Sequence, residues 1–164
     1  MKIRTGFVSN SSSSSFIVAF RNKPKDVDEL KKLMFGDRKW VLDDYGDEPY
    51  LTMTIAERVY GNIHGYKNSK FKDIVQAVAN GWFSGRPEFD DYSISVDGKC
   101  VGFRHEEYNA ANNKAAEKIA KGFCDRWKGC FYMIMKISDD TDIGAYMEHE
   151  NIFKNIPHLE INCH

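Results

Sequence analysis

Residues 4–16 read RTGFVSNSSSSSF, a run of polar residues from Ser9 to Ser15 held between Phe7-Val8 and Phe16-Ile17-Val18. A flexible linker is solvated along its length and lacks aromatic anchors. The apolar brackets instead predict a hydroxyl-rich loop pinned at both ends against a core. An apolar strand over 16–20 leaves that loop and ends before Pro24.

A chain of 164 residues fits one domain, since about 150 residues bury close to 70% of their unfolded surface. The 42% hydrophobic and 29% charged content excludes a disordered composition. No apolar run approaches the roughly 20 residues of a membrane helix. Lys2 and Arg4 lead into serines and not into the apolar region of a signal peptide. The expectation is a cytoplasmic protein without a membrane partner. Cys100, Cys124, Cys130 and Cys163 show no CxxC spacing and read as reduced, buried or partly buried residues.

Net charge is -1, but residues 1–40 hold nine Lys/Arg against four Asp/Glu, and the remainder 14 against 20. A basic end could attract phosphate, although solvated helix faces also carry such charge. Non-specific DNA binding is disfavoured, because it rests on many phosphate contacts and the whole chain is near neutral.

The pattern predicts a single α+β domain over 1–164, with a mixed or antiparallel sheet and helices mainly on one face. Asp26 and Glu29 form a capping-box pattern for a helix with Val27, Leu30 and Met34 on one face, closed by Gly36. Trp40 to Leu42 suggests a short strand before the turn Asp43-Asp44-Tyr45-Gly46-Asp47. Thr54 and Glu57 suggest a second cap, for a helix lined by Ile55, Val59 and Ile63. Ser69 is read as the cap of a third, with Phe71, Ile74, Val75, Val78 and Trp82 inward. Asp97-Gly98 predicts a hairpin between strands over 92–96 and 99–103. A long helix over 105–127 carries Tyr108, Ala111, Ala115, Ile119 and Phe123 as its expected buried stripe. A central strand is expected over 131–137 and a last strand over 158–163.

Polar residues concentrate again near the C-terminus: Glu148, His149, His158, Glu160 and His164. Strand alternation puts His158, Glu160 and His164 on one face, away from Leu159, Ile161 and Cys163. His149, His158 and His164, with Glu148, are the candidate acid–base groups or metal ligands. No HExxH spacing is present, and the sequence specifies no metal or cofactor. The alternative is an ordinary solvated strand face. At the other end, Arg4, Ser9, Asn10, Ser11, Ser12 and Ser13 are the candidate anion-binding residues, through hydroxyls and successive N–H groups. Neither a P-loop nor a GxSxG elbow is present.

The opening RTGFVSNSSSSSF resembles the N-terminal signature of a group of uncharacterised proteins from large tailed bacteriophages and some bacteria. The closing MEHENIFKNIPHLEINCH is similar to the ends of such proteins, which tend toward an EHG element and a final His-His. Here Glu150 stands where Gly is usual, and Cys163 precedes His164. The resemblance covers residues 4–16 and 138–164 and implies a phage setting, with no activity to transfer. Two functions follow as expectations. One is a phage-type accessory protein of the host cytoplasm, whose serine loop and C-terminal strand form one site for a phosphate-bearing ligand. The other is a non-enzymatic virion or host-protein-binding protein. Whether the chain is an enzyme stays open.

Overall fold

The apolar run over 16–20 lies at the centre of the molecule. In the computed structural model it belongs to strand β1 (Ser13–Phe20), which pairs antiparallel with β6 (Phe131–Ser138) on one side and β7 (His158–Cys163) on the other. The structure describes residues 13–42, 49–63, 65–81, 93–97, 99–103, 105–138, 144, 146–147 and 152–163; residues 13, 93–96, 100–103, 138 and 162–163 are described by backbone alone.

Each residue from Phe16 to Phe20 is at most 1% exposed. A strand buried on both faces needs a layer on each, and the pleat supplies the division. Phe16, Val18 and Phe20 meet Leu30 and Met34 of α1 (Val27–Phe35) and Ile55, Val59 and Ile63 of α2 (Thr52–Ile63). Ile17 and Ala19 meet Ile74 and Val78 of α3 (Phe71–Asn80) and Ala116, Ala120 and Phe123 of α4 (His105–Arg126). Burying each large side chain contributes roughly 1.5–3 kcal/mol. The α+β class and antiparallel pairing are as expected. The helices are not gathered on one face; they are shared two and two, because β1 is apolar in both pleat directions.

The sheet order β6-β1-β7 makes β1 central, where the sequence pattern had suggested residues 131–137. Met133, Met135 and Ile137 of β6 are buried, but Tyr132 and Ile134 are only half-buried and Lys136 is exposed, as suits an edge. The strand also begins at Ser13, three residues earlier than expected. Ser14 and Ser15 are buried between two partner strands, and pairing on both sides satisfies their backbone. This part of the serine tract is strand and not loop.

Local chemistry sets the helix ends. Asp26 Oδ1 accepts from the Glu29 N–H at 2.8 Å, while Glu29 reaches past it to the Lys25 N–H at 2.8 Å. Gly36 ends α1 at φ 61°, a conformation that favours glycine. Helix α2 starts at Thr52 and not at a Thr54 cap. The Thr52 hydroxyl donates to the Arg38 carbonyl at 2.7 Å and its N–H to that of Lys39 at 3.0 Å. These bonds tie α2 to a ribbon of β2 (Trp40–Val41) and β3 (Tyr50–Leu51). For α3, Lys70 takes the expected place of Ser69 as cap residue, and Asp73 Oδ2 accepts its N–H at 3.0 Å. The Ser69 N–H is instead bonded to the Tyr132 carbonyl at 3.0 Å. Phe71, expected inside, is exposed.

On α4 the buried stripe is Asn112, Ala116, Ala120 and Phe123, rotated by one residue from the expected Ala111 and Ala115. Asn112 explains the shift, because its Nδ2 donates to the Ala79 carbonyl at the end of α3, 2.8 Å away. A buried asparagine is drawn to that orphan carbonyl. Strands β4 (Ser93–Val96) and β5 (Lys99–Phe103) form the expected hairpin, with Asp97 at φ 50° and a register shift between Ile94 and Ser95. The 43–47 turn, Trp82, Tyr92 and Gly98 lie outside the described residues.

Candidate functional site

Arg4, Ser9, Asn10, Ser11, Ser12, Glu148, His149 and His164 lie outside the described residues. Ser13 lies opposite Ser138 on β6 and Cys163 on β7. His158 pairs with Val18, five residues along the ladder. At about 3.4 Å per residue this separates it from Ser13 by about 17 Å. Of the two groups of expected site residues, the described members therefore sit at opposite ends of the sheet.

His158 shares a face with Glu160, as the alternation requires. That face is the one carrying Phe16. The His158 ring lies 6.4 Å from the Phe16 ring and 6.3 Å from that of Phe153, centroid to centroid, and is half-buried. Its Nδ1 is 2.8 Å from the Ile156 carbonyl. A carbonyl only accepts, so Nδ1 is the donor in this contact. This corrects the picture of a solvated histidine off the core: His158 closes the turn that leads into β7. Glu160 is exposed.

Helix α4 and the start of β7 enclose a cleft of about 400 Å³. Ile119, Gly122, Phe123, Arg126 and Trp127 form one wall; Ile156, Pro157, His158 and Leu159 form the other. Positions 119, 123 and 127 follow the i, i+4 rule along one helical face. The Tyr132 hydroxyl reaches up from β6 to the end of α4. It donates to the Trp127 carbonyl at 2.6 Å and lies 3.2 Å from that of Cys124. The Cys124 carbonyl is of the kind a helix end leaves unpaired, and the Trp127 carbonyl also accepts the Cys130 N–H at 3.1 Å. Burial pushes the Tyr132 phenol up to about 12, with the neighbouring Cys124 and Cys130 adding to the effect. Burial also raises the Cys124 thiol. Cys124 and Cys130 are both half-buried and free, as expected for them.

Two features of the cleft stand out physically. A Cβ added at Gly122 would meet no atom within 4 Å, so internal packing does not demand glycine there. Glycine in a helix interior is nonetheless unfavourable by roughly 0.5–1 kcal/mol relative to alanine. Its effect is to keep the cleft wall low. Secondly, β7 has one neighbour, β1, among the described residues. The Ala19 N–H donates to the Pro157 carbonyl at 2.8 Å, which fixes the antiparallel alternation. The backbone N–H and C=O groups of His158, Glu160 and Asn162 then point away from β1, toward the free edge.

A second surface lies on the β2–β3 ribbon. Val41 is buried and Tyr50 packs inward. Trp40, opposite Leu51, is 54% exposed, Leu51 43%, and Leu42 69%. Scattered exposed apolar residues are ordinary, but three on one face form a patch of the kind found at interaction sites. The sequence pattern contained the signals for both surfaces: the Trp40/Val41/Leu42 alternation, and a glycine amid strong helix formers at 122.

Among the described residues no group of three metal-ligating side chains occurs, and no helix is long and apolar enough to cross a membrane. No protein-family model, curated protein or solved structure matches the chain.

Proposed function

We propose that this is a phage-type, non-enzymatic accessory protein that acts in the host cytoplasm by binding another protein, of the host or of the phage. The observation that carries this reading is the exposed apolar face of Trp40, Leu42 and Leu51 on a ribbon whose other face is anchored in the core. The separation of Ser13 from His158 by most of the sheet also favours it, because a single catalytic centre would need both ends together. The phage setting rests on the resemblance of the two terminal motifs.

The test is capture from infected cells, comparing the wild type with Trp40→Glu and Leu51→Glu. These exposed positions tolerate charge without loss of fold, since surface changes usually stay within about 0.5 kcal/mol. The expected result is a stoichiometric protein partner held by the wild type and lost from both variants. A partner set identical for all three proteins would refute the reading.

A second reading keeps a phosphate-bearing ligand, and one observation favours it. The register of Ser13 with Ser138 and Cys163 brings the serine-tract end of β1 and the C-terminal end of β7 to one end of the sheet. On this reading Arg4 and the serines up to Ser13 hold the anion, and His164 completes the site without His158. A phosphate compound that copurifies with the wild type and is lost on Arg4→Ala would select this reading.

A further inference from the structure

We infer that β7 is an acceptor edge: an extended peptide segment of a partner protein adds to it as a fourth strand and fills the cleft against α4. The inference rests on the protein-binding reading and adds to the ribbon face a second place where a partner is held.

An exposed strand edge is a row of unpaired donors and acceptors, and a peptide backbone is the ligand that complements it. The outward groups belong to His158, Glu160 and Asn162, by the alternation that the Ala19–Pro157 bond establishes. Folded proteins usually blunt such edges with bulges, prolines or covering elements. Here Pro157 stands before the strand, and the paired register from His158 to Cys163 is unbroken. Beside this edge stands an apolar wall, Ile119 and Phe123 of α4 with Trp127 just after it. In an added strand, alternate side chains fall on the α4 side. An incoming peptide would thus place every second residue against that wall, and those residues should be apolar. Gly122 leaves room for them, since a Cβ added there would meet no atom of the described residues within 4 Å.

Arg126 sets the charge of the partner. It lines the cleft and is exposed, so its guanidinium can pair with a carboxylate. Among the described residues lining the cleft it is the one Lys or Arg. The occupant is therefore an extended segment with apolar residues at alternate positions and an acidic residue, or a terminal carboxylate, at the Arg126 end. A small ligand would use the cleft walls but leave the backbone edge without partners.

The test selects a displayed library of random peptides on the full-length protein. Enriched peptides are then titrated by fluorescence polarisation, and amide exchange is followed with and without them. Enrichment of alternating apolar residues with an Asp or Glu is expected. Bound peptide should slow exchange at His158, Glu160 and Asn162, leaving the inner ladder unchanged. Glu160→Pro removes an outward N–H without touching the β1 ladder, a position where edge strands accept proline. Gly122→Leu fills the cleft and is a better helix former, so its unfolding midpoint should not fall. Each should weaken binding at least about tenfold, and Arg126→Glu should reverse the preference for an acidic residue.

Peptide binding unaffected by both Glu160→Pro and Gly122→Leu would overturn the inference. So would a wild-type dimer that Glu160→Pro converts to monomer, which would show the edge pairing with a second copy. If binding is lost in Trp40→Glu and kept in Glu160→Pro, strand addition fails while the protein-binding reading stands. If neither the peptide selection nor the capture yields a binder, both fall.

Discussion

Replacing His158 by alanine separates a functional surface histidine from a structural one. An exposed strand residue would lose little, within about 0.5 kcal/mol. The contacts of His158 predict more. Its Nδ1–H bond to the Ile156 carbonyl, 2.8 Å long, contributes about 1 kcal/mol net. Ile156 is buried, so its acceptor is left poorly paired when the donor goes. The ring contacts with Phe16 and Phe153 add roughly 0.5 kcal/mol each at the low end of aromatic pairing. The sum for His158→Ala is about 2 kcal/mol. His158→Phe restores a ring but not the bond and should cost about half as much. Urea unfolding followed by circular dichroism reads this directly. With a slope of about 2 kcal/mol per molar urea, the midpoint should fall by about 1 M for alanine and about 0.5 M for phenylalanine. A midpoint for His158→Ala within about 0.2 M of wild type would refute the packing account and return His158 to the solvated face.

Three further outcomes are expected. Tyr132→Phe removes the hydroxyl that caps the α4 carbonyls of Trp127 and Cys124 and should cost about 1 kcal/mol at pH 7. Because the folded phenol is raised to about 12 from an unfolded value near 10, its contribution is full below about pH 10 and is lost as pH rises toward 12; the pH dependence of wild-type stability in that window should be shallower in Tyr132→Phe. Cys124 should react with a thiol reagent far more slowly in the folded protein than in denaturant, because burial raises its thiol and only the thiolate attacks; equal rates in both states would contradict its burial. Asn112→Leu should cost little, within about 1 kcal/mol, although Asn112 is 6% exposed. The substitution loses the bond to the Ala79 carbonyl but also removes Oδ1, which is buried and has no partner among the described residues. A loss above about 3 kcal/mol would mean that Oδ1 is satisfied after all.

Local elements were legible where one residue type dictates local geometry. Asp26 and Gly36 bound α1, and Asp97 turns the hairpin, because capping and positive φ are short-range requirements. Long-range choices were less legible. Five consecutive apolar residues over 16–20 fit a strand buried on both faces, which the expectation of helices mainly on one face does not take into account. The start of β1 is hard to read from the sequence for a related reason. Serine favours turns through its own hydrogen bonds, and only the two partner strands, distant in sequence, make Ser14 and Ser15 good strand residues.

The histidine face shows the same limit at the candidate site. Alternation correctly put His158 and Glu160 together, and it correctly opposed them to Leu159 and Ile161. It could not say which of the two faces was core, because here both are: Phe16 lies on the first and Ile17 on the second. A polar residue on a strand is then no sign of solvent. The groups of β7 that do face outward are backbone groups, on the edge that β1 leaves open, and they have no side-chain signature at all. Their position follows from sheet order and hydrogen-bond parity, which arise only when β1 is inserted between β6 and β7. That is why nothing in the sequence singles out the cleft residues Gly122, Arg126 and Trp127, although they lie beside the edge of β7 that is open among the described residues.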